Sequence, residues 1–393
     1  MGAEKTLTLE GKKAFDEAEL LIGAKRMTDA VQMPGQMVLH EYRSDKIVEY
    51  IKTHPQYRTV AIALSGDVGF YSGARKLIDL LDGDVQVICG ISSVVYFMAK
   101  IGLSWDDARI VSAHGRDCNL IALIRHNPKV FSILGTEDGV ARLASRLVAY
   151  GMGDVTLYVG ENLSYENEKI FHASAADLTE YRGDALSVVT ACNEKAVPLP
   201  AVHGICDEEF LRGKAPMTKE EVRTVSLSKL RLQEDSVCYD VGAGTGSVSV
   251  EMALRAWKGQ VYAIEKKEDA LALLKENRRK FATDNLEIVP GTAPEAMVEL
   301  PVPTHAFIGG SSGNMNEIIR LLLDKNPKVR IVINCITLET VTEAMNAIRD
   351  FSLTDVDIVQ LSAARSKSIG RYHMMMGENP IYIISCSGRW EEI

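Results

Sequence analysis

Three glycines at alternate positions, Gly242, Gly244 and Gly246, follow the acid Asp240, and a second acid, Glu265, stands further on. Glycine lets the backbone turn sharply and lets a ligand lie against bare main chain. A helix that starts just after such a loop offers free N–H groups to an electron-rich ligand. An acid at the tip of the next strand, roughly 20 residues on, can accept both hydroxyls of a ribose. The pattern therefore suits a nucleoside-bearing cofactor. The dinucleotide fingerprint G-x-G-x-x-G would need its third glycine at 247, which is Ser247. The chain reads D-x-G-x-G-x-G instead. A plain structural turn, an NAD site and an adenosylmethionine site are all compatible with the glycines alone.

These residues need elements to hold them. Residues 237–241 are apolar and β-branched, as a short buried strand requires. Residues 247–257 suit a helix, and 260–264 a second strand ending at Glu265. Downstream, the spacing predicts helices over 268–281, 314–323 and 338–351, and strands over 286–289, 306–308 and 330–336. Strands over 355–361 and 380–386 are expected to pair as a hairpin. Gly291 to Glu295 and Gly309 to Gly313 fall at strand ends. Thr218, with Glu221 three residues later, predicts a capping box.

The first half also alternates. Strands are expected at 20–23, 59–64, 85–89, 108–112, 129–134 and 154–160, with helices between them. That order predicts a mainly parallel sheet covered on both faces, with ligands at the carboxyl ends of its strands. Gly66, Asp67, Gly69 and Tyr71 fall at one such end, and Ile91, Ser92 and Ser93 at another. Plainer roles fit as well. Asp67 suits an Asx turn, Ser92 or Ser93 a helix cap, His114 a loop, and Phe70 and Tyr71 the core.

Composition bounds the class. A chain of 393 residues should hold two or more domains. The segment 194–206 carries Pro198, Pro200 and Gly204, which places a linker at 198–206 between domains at 1–197 and 207–393. A net charge of −9 argues against a nucleic-acid partner. No apolar run reaches membrane-spanning length and no signal peptide is evident, so the expected location is the cytoplasm. Cys89, Cys118, Cys192, Cys206, Cys238, Cys335 and Cys386 show no C-x-x-C pairing. They are expected as small buried residues, with no metal and no disulfide.

Two resemblances sharpen the reading. With Asp240 before it and Glu265 after it, the glycine loop resembles the S-adenosylmethionine loop of Rossmann-like class I methyltransferases. The words GKAPMTKEEVR, DVGAGTGSVSVE, FIGGSSGN, INCITLET and SKSIGRYHMMMGENPIYIIS, across 205–387, resemble the decarboxylating precorrin methyltransferases. SGDVGFYSGARKL, GISSVVYFMA, WDDARIVSAHGR and GENLSYENEKI, across 3–193, resemble the tetrapyrrole methylases. The resemblance implies an α/β chain: a tetrapyrrole-methylase domain followed by a seven-stranded class I domain.

It also implies S-adenosyl-L-methionine at two places. Thr218, Asp240, Gly242, Ala243, Gly244, Thr245, Gly246, Glu265, Ala293 and Gly309 would hold it in the second domain. Gly66, Asp67, Gly69, Tyr71, Ile91, Ser92 and Ser93 would hold it in the first. The implied partner is a small carboxylate-rich macrocycle, anchored by Lys219, Arg365, Lys367, Arg371 and Arg116, with Tyr372 or His373 as proton donor. The implied reaction methylates carbons 5 and 15 of a precorrin, with or without cobalt, and removes the carboxyl of the ring C acetate during cobalamin synthesis. A catalytic second half beside a first half that only binds is the alternative. An NAD oxidoreductase is the distant rival, disfavoured by Ser247. Both families imply self-association. The tetrapyrrole methylases open with a strand and a glycine-rich loop ahead of the T-L-E segment, whereas only Met1 and Gly2 precede Ala3 here. A sheet lacking that strand, with an unpaired edge, is therefore expected, and so is a start placed too late.

Overall fold

The computed structural model describes residues 3–113, 118–198 and 204–388. They form two units, Met1–Arg116 with Asn127–Ala196, and Asp117–His126 with Val197–Ile393. His114, Arg116 and the middle of the expected linker lie outside the described residues.

In the first unit, β1 (Leu20–Gly23), β2 (Met37–His40) and β3 (Val60–Ala63) make a parallel sheet in the order β2-β1-β3. Alternate residues of β1 face opposite sides. Leu20 and Ile22 pack with Ile47, Val48 and Leu77, while Leu21 packs with Met27 and Ala63. The short β2 was not anticipated, because four residues among polar and proline neighbours show no period. A second sheet holds β4 (Arg109–Ser112), β5 (Lys129–Ile133), β6 (Thr156–Glu161), β7 (Lys169–Ser174) and β8 (Ser187–Cys192), in the order β4-β5-β8-β6-β7. Only β4 and β5 run parallel in it. The expected single, mainly parallel sheet is therefore two sheets, one of them largely antiparallel.

The strand expected at 85–89 does not form. Strand β3 pairs with β1 alone among the described residues. A cavity of about 660 Å³ separates its residues from Val85, Gln86, Val87, Ile88 and Cys89. An extended segment makes a strand only when a neighbour completes its ladder, and this segment has none. Val87 is left 48% exposed.

The second unit holds one continuous sheet and a hairpin. Its strands are β9 (Val237–Val241), β10 (Gln260–Glu265), β11 (Leu286–Pro290), β12 (His305–Ile308), β13 (Arg330–Cys335), β14 (Thr354–Leu361), β15 (Ala364–Ile369), β16 (Tyr372–Gly377) and β17 (Ile381–Ser387). Seven of them form one sheet, β11-β10-β9-β12-β13-β17-β14, and β17 runs antiparallel to both its neighbours. Tyr239, Val241, Ile264, Ile308 and Ile333 fill one face. Cys238, Val261, Ala263, Phe307 and Val332 fill the other. The segment between β14 and β17, expected as a loop, is an antiparallel hairpin of β15 and β16. From β9 the chain builds outward to β11 and then returns to add β12 on the other side. That reversal opens a crevice at the strands' carboxyl ends.

No disulfide joins any of the described cysteines. Cys238, Cys335 and Cys386 are buried, but Cys89 and Cys206 are exposed, contrary to expectation. Cys89 belongs to the segment that lacks its neighbour. No helix among the described residues is long and apolar enough to cross a membrane.

Candidate functional site

The glycine loop sits at the switch point of the second sheet. The N–H groups of Gly242 and Ala243 both donate to the carbonyl of Ile264, at 3.0 and 3.1 Å. This ties the loop to β10. Gly242 has φ +78° and Gly244 φ +57°, the left-handed region. A Cβ on Gly244 would lie 2.8 Å from the carbonyl oxygen of Pro216, and one on Gly242 would lie 3.0 Å from the backbone of Gly310. Bare backbone is thus required on both counts. Asn277 is wholly buried and donates to the carbonyls of Thr245 (2.9 Å) and Leu211 (3.1 Å), pinning the loop's far end. Nothing in its charged helix marks it out by sequence.

Glu265 completes the cradle. One carboxylate oxygen accepts the N–H of Gly244 at 2.8 Å; the other accepts those of Lys266 and Lys267. A cavity of about 670 Å³ opens here. Of the predicted cofactor residues, Thr218, Gly242, Ala243, Gly244, Glu265, Ala293 and Gly309 line it, as does Lys219, which was assigned to substrate. Thr245, Gly246 and Asp240 do not. Asp240 is buried behind the loop, where one oxygen accepts the Ser249 hydroxyl and the other has no hydrogen-bond partner among the described residues. Burial pushes its carboxyl up to about 7; the Ser249 bond opposes this and the nearby Glu265 charge adds to it.

The cavity wall at Pro216, Met217 and Thr218 is braced by a residue that sequence reasoning passed over. Arg223, with no exposed surface, donates to Glu251 at 2.5 Å, to Asp207 at 3.3 Å and to the Thr218 carbonyl at 2.6 Å. It also bonds the Ile205 carbonyl and lies 4.7 Å from the Phe210 ring centre. The expected capping box is absent. The helix runs Glu220–Leu230, its N-cap is Lys219, and no side chain caps it. Arg223 has taken the Thr218 carbonyl, and Glu221 reaches Arg365 at 2.8 Å instead of turning back.

The expected cationic anchors separate. Arg365 stands within 4 Å of Asp207, Glu220, Glu221 and Glu378, so its charge is matched by the protein's own acids. Lys219 lies 3.9 Å from Asp207. Lys367, Arg371, Tyr372 and His373 are exposed on the β15–β16 hairpin and do not line the cavity. Its lining from that side comes from Gly377, Glu378 and Asn379. Asn334, at the end of β13, lines it as well.

In the first unit, Asp67 takes the turn role. Its oxygens accept the N–H groups of Gly69 at 2.9 Å and Gly90 at 3.3 Å. Ser92 caps the helix Ser93–Ile101 through the N–H of Val95. Phe70 packs on the core beside Phe131. Tyr71 is half-exposed, with φ +50°. Of the predicted residues only Gly66 and Ile91 line the 660 Å³ cavity.

The comparisons with known proteins divide the chain in the same way. A family model described as "Precorrin methyltransferase domain" matches residues 209–387, and one described as "Tetrapyrrole (Corrin/Porphyrin) Methylases" matches residues 1–179. A probable cobalt-precorrin-6B C(15)-methyltransferase (decarboxylating) of Pyrobaculum calidifontis is 44% identical over 188 residues, 47% of this chain and 96% of the relative. The corresponding Salmonella typhimurium protein is 41% identical over 182 residues, 46% of this chain and 94% of its own. A crystal structure of a precorrin-6y C5,15-methyltransferase from Geobacter metallireducens is 39% identical, covers 47% of this chain and 96% of its own, and has a TM-score of 0.45.

Proposed function

We propose that this chain, which belongs to the precorrin methyltransferase family, methylates carbon 15 of precorrin-6B or its cobalt form and removes the carboxyl of an acetate arm, as a step in cobalamin synthesis. The chain is an S-adenosylmethionine-dependent methyltransferase. When bound, that cofactor supplies an electrophilic methyl on a sulfonium. The observation that carries the proposal is the cradle in the second unit: Gly242 and Gly244, which admit no Cβ, beside the fixed carboxylate of Glu265. The cofactor fits this donor set. The loop backbone would meet its amino-acid end, Glu265 its ribose hydroxyls, and Ala293 its base.

The chain's own contribution is alignment and exclusion of water. Displacement at a methyl carbon needs the attacking carbon directly behind it. A new carbon–carbon bond forms, the carbon–sulfur bond breaks, and its electron pair returns to sulfur. In decarboxylation the bond to the carboxylate breaks, its pair passes into the conjugated ring, and the carbon takes a proton. The protein needs no covalent nucleophile for either step.

Methylation of carbon 5 by the first unit is the natural extension. A second reading, one methylation only, is favoured by the outer edge of β3, unpaired among the described residues, and the cavity beside it. Mass spectrometry of precorrin-6B, and of its cobalt form, after incubation with the chain and S-adenosylmethionine tests both. Two methyls gained with carbon dioxide lost is the full reaction. One methyl gained with that loss assigns activity to the second unit alone. An unchanged macrocycle in both incubations would overturn the proposal.

A further inference from the structure

We infer that Ile336 is a substrate-binding residue, which with Val222 and Ile381 forms the wall on which the ring of the macrocycle packs; the inference rests on the reading above. Strand β13 is buried at all six of its positions, yet the next residue, Ile336, is 64% exposed. The connection there is too short to turn it inward. Cys335 ends β13 and pairs with Tyr382 of β17. Thr337 already caps the helix Leu338–Asp350, its hydroxyl accepting the N–H of Thr340 at 3.2 Å. Ile336 is thus a one-residue link fixed at both ends. A single exposed aliphatic residue is ordinary on a protein surface, but this one does not stand alone. The pairing of Cys335 with Tyr382 sets position 336 opposite Ile381, and residues so placed are neighbours. Ile381 and Val222 are both buried and belong to one apolar cluster with Val332. Val222, Ile336 and Ile381 all line the 670 Å³ cavity, so Ile336 carries that apolar surface out to the rim.

Position separates this wall from the cofactor. Glu265 and Ala293 follow β10 and β11, on one side of β9. Ile336 follows β13, two strands from β9 on the other side, and β17 lies next beyond it. Three lysines line the cavity too. Lys266 and Lys267 directly follow Glu265 and so stand on the cofactor's side, and Lys219 lies 3.9 Å from Asp207. Glu378, which lines the cavity just before β17, lies 3.9 Å from Arg365. A conjugated ring edged with carboxylates needs two surroundings at once: an apolar surface for its face and water for its arms. A rigid aliphatic side chain at the rim of an open cavity supplies both. How the ring rests on it then decides which ring carbon stands behind the methyl.

The test uses the full-length chain with Ile336→Ala, Ile336→Leu and Ile336→Asp. Methyl gain and carbon dioxide loss are followed over a range of precorrin-6B concentrations to give KM and kcat. S-adenosylhomocysteine affinity is measured by calorimetry. The side chain is exposed, so all three variants should fold and melt like wild type. We expect Ile336→Ala to raise KM for the macrocycle on the order of tenfold, and Ile336→Leu to keep it within about threefold of wild type. Ile336→Asp, which loses the apolar surface and is like-charged to the arms, should raise it on the order of 100-fold. Both products should fall together at low macrocycle concentration, and cofactor affinity should fall less than KM rises. A loss of cofactor affinity as large as the rise in KM would place Ile336 against the cofactor and overturn the inference. So would a KM unchanged in all three variants with wild type active; if Ile336→Asp then sedimented as a smaller species, a second copy of the chain would be what covers the residue. A wild-type chain that leaves the macrocycle unchanged would remove the reading above and this inference with it.

Discussion

Each half of this chain presents a glycine-bearing loop at the end of a parallel strand, yet the two loops end differently. The loop after β9 rests on a strand paired on both sides, by β10 and by β12. Its backbone is pinned from Ile264, Asn277 and Glu265, and a 670 Å³ cavity opens against it. The loop after β3 follows a strand that, among the described residues, is paired on one side only. There Asp67 turns its carboxylate onto the N–H of Gly69 in its own loop and onto that of Gly90, and the cavity lies beside the strand as well as beyond its end. Glycines permit a cradle, but a continuous sheet behind them makes one.

The largest effect we expect sharpens this contrast through stability. Arg223→Ala would remove the buried cation that hydrogen-bonds both Asp207 and Glu251, leaving Asp207 only the longer pairs to Lys219 and Arg365, and Glu251 only that to Arg255. Breaking a buried pair in this way costs about 3–5 kcal/mol. The melting temperature of the second unit should fall by roughly 10 °C, read by scanning calorimetry. The exposed Lys195–Asp154 pair of the first unit is the control: Lys195→Ala should not move the transition measurably. Equal shifts would show that Arg223 is not the brace we describe.

Next is Gly244→Val. It combines left-handed strain with a 2.8 Å approach to the Pro216 carbonyl. Together these should weaken cofactor binding roughly 100-fold. Gly66 also has positive φ, +75°, but Gly66→Val should leave the tight binding within about twofold, because that loop lies at an open sheet edge. Isothermal calorimetry on both variants decides. An equal loss from Gly66→Val would erase the difference between the two loops.

Much of the second half was legible in the sequence. The strand, glycine loop, helix, strand and acid order is local, and each residue there declares its role by type. The apolar runs of β9, β10 and β13 are long enough to be read. What stayed hidden depends on distant partners. Arg223 and Asn277 look like ordinary polar residues until the fold brings Asp207 or Thr245 to them. The capping box at Thr218 matched its pattern, but Glu221, the residue that should turn back to the backbone N–H, accepts from Arg365 instead. Arg365 read as a free cation because the four acids around it come from three separate segments. In the first half, residues 85–89 carry a strand's composition, but a strand also needs a neighbour, and composition does not reveal whether one is present.

Glu265→Gln asks whether the acid that closes the cradle is needed for its charge. The variant keeps an acceptor for the Gly244 N–H, which lies 2.8 Å from a carboxylate oxygen in the wild type, but loses the charge that a ribose hydroxyl would meet. Cofactor affinity should fall about tenfold, measured by calorimetry. The matched change in the other loop, Asp67→Asn, should leave the tight binding unaltered. Full affinity in Glu265→Gln would move the ribose elsewhere in the cavity.

The smallest effect concerns the acid behind the loop. Asp240 has one oxygen bonded to Ser249 and one with no partner among the described residues, in full burial, and its carboxyl is pushed up to about 7. In the unfolded chain it would titrate near about 3.9. Between roughly pH 4 and pH 7 the folded state therefore holds a proton that the unfolded state has released. The associated stability is fully present below about pH 4, declines as pH rises through about 7, and then stays flat. One proton limits the slope to about 1.4 kcal/mol per pH unit. The amide of the Asp240→Asn variant imitates the neutral acid at every pH, so this contribution to the slope disappears there. The measurement is denaturant unfolding from about pH 5 to pH 8 on both proteins, plotted as a difference so that other titrations cancel. A difference that rises with pH in favour of Asp240→Asn supports a neutral acid beneath the cofactor loop. A flat difference would mean that Asp240 is ionised in the folded state, and the glycine loop would then rest on a buried negative charge.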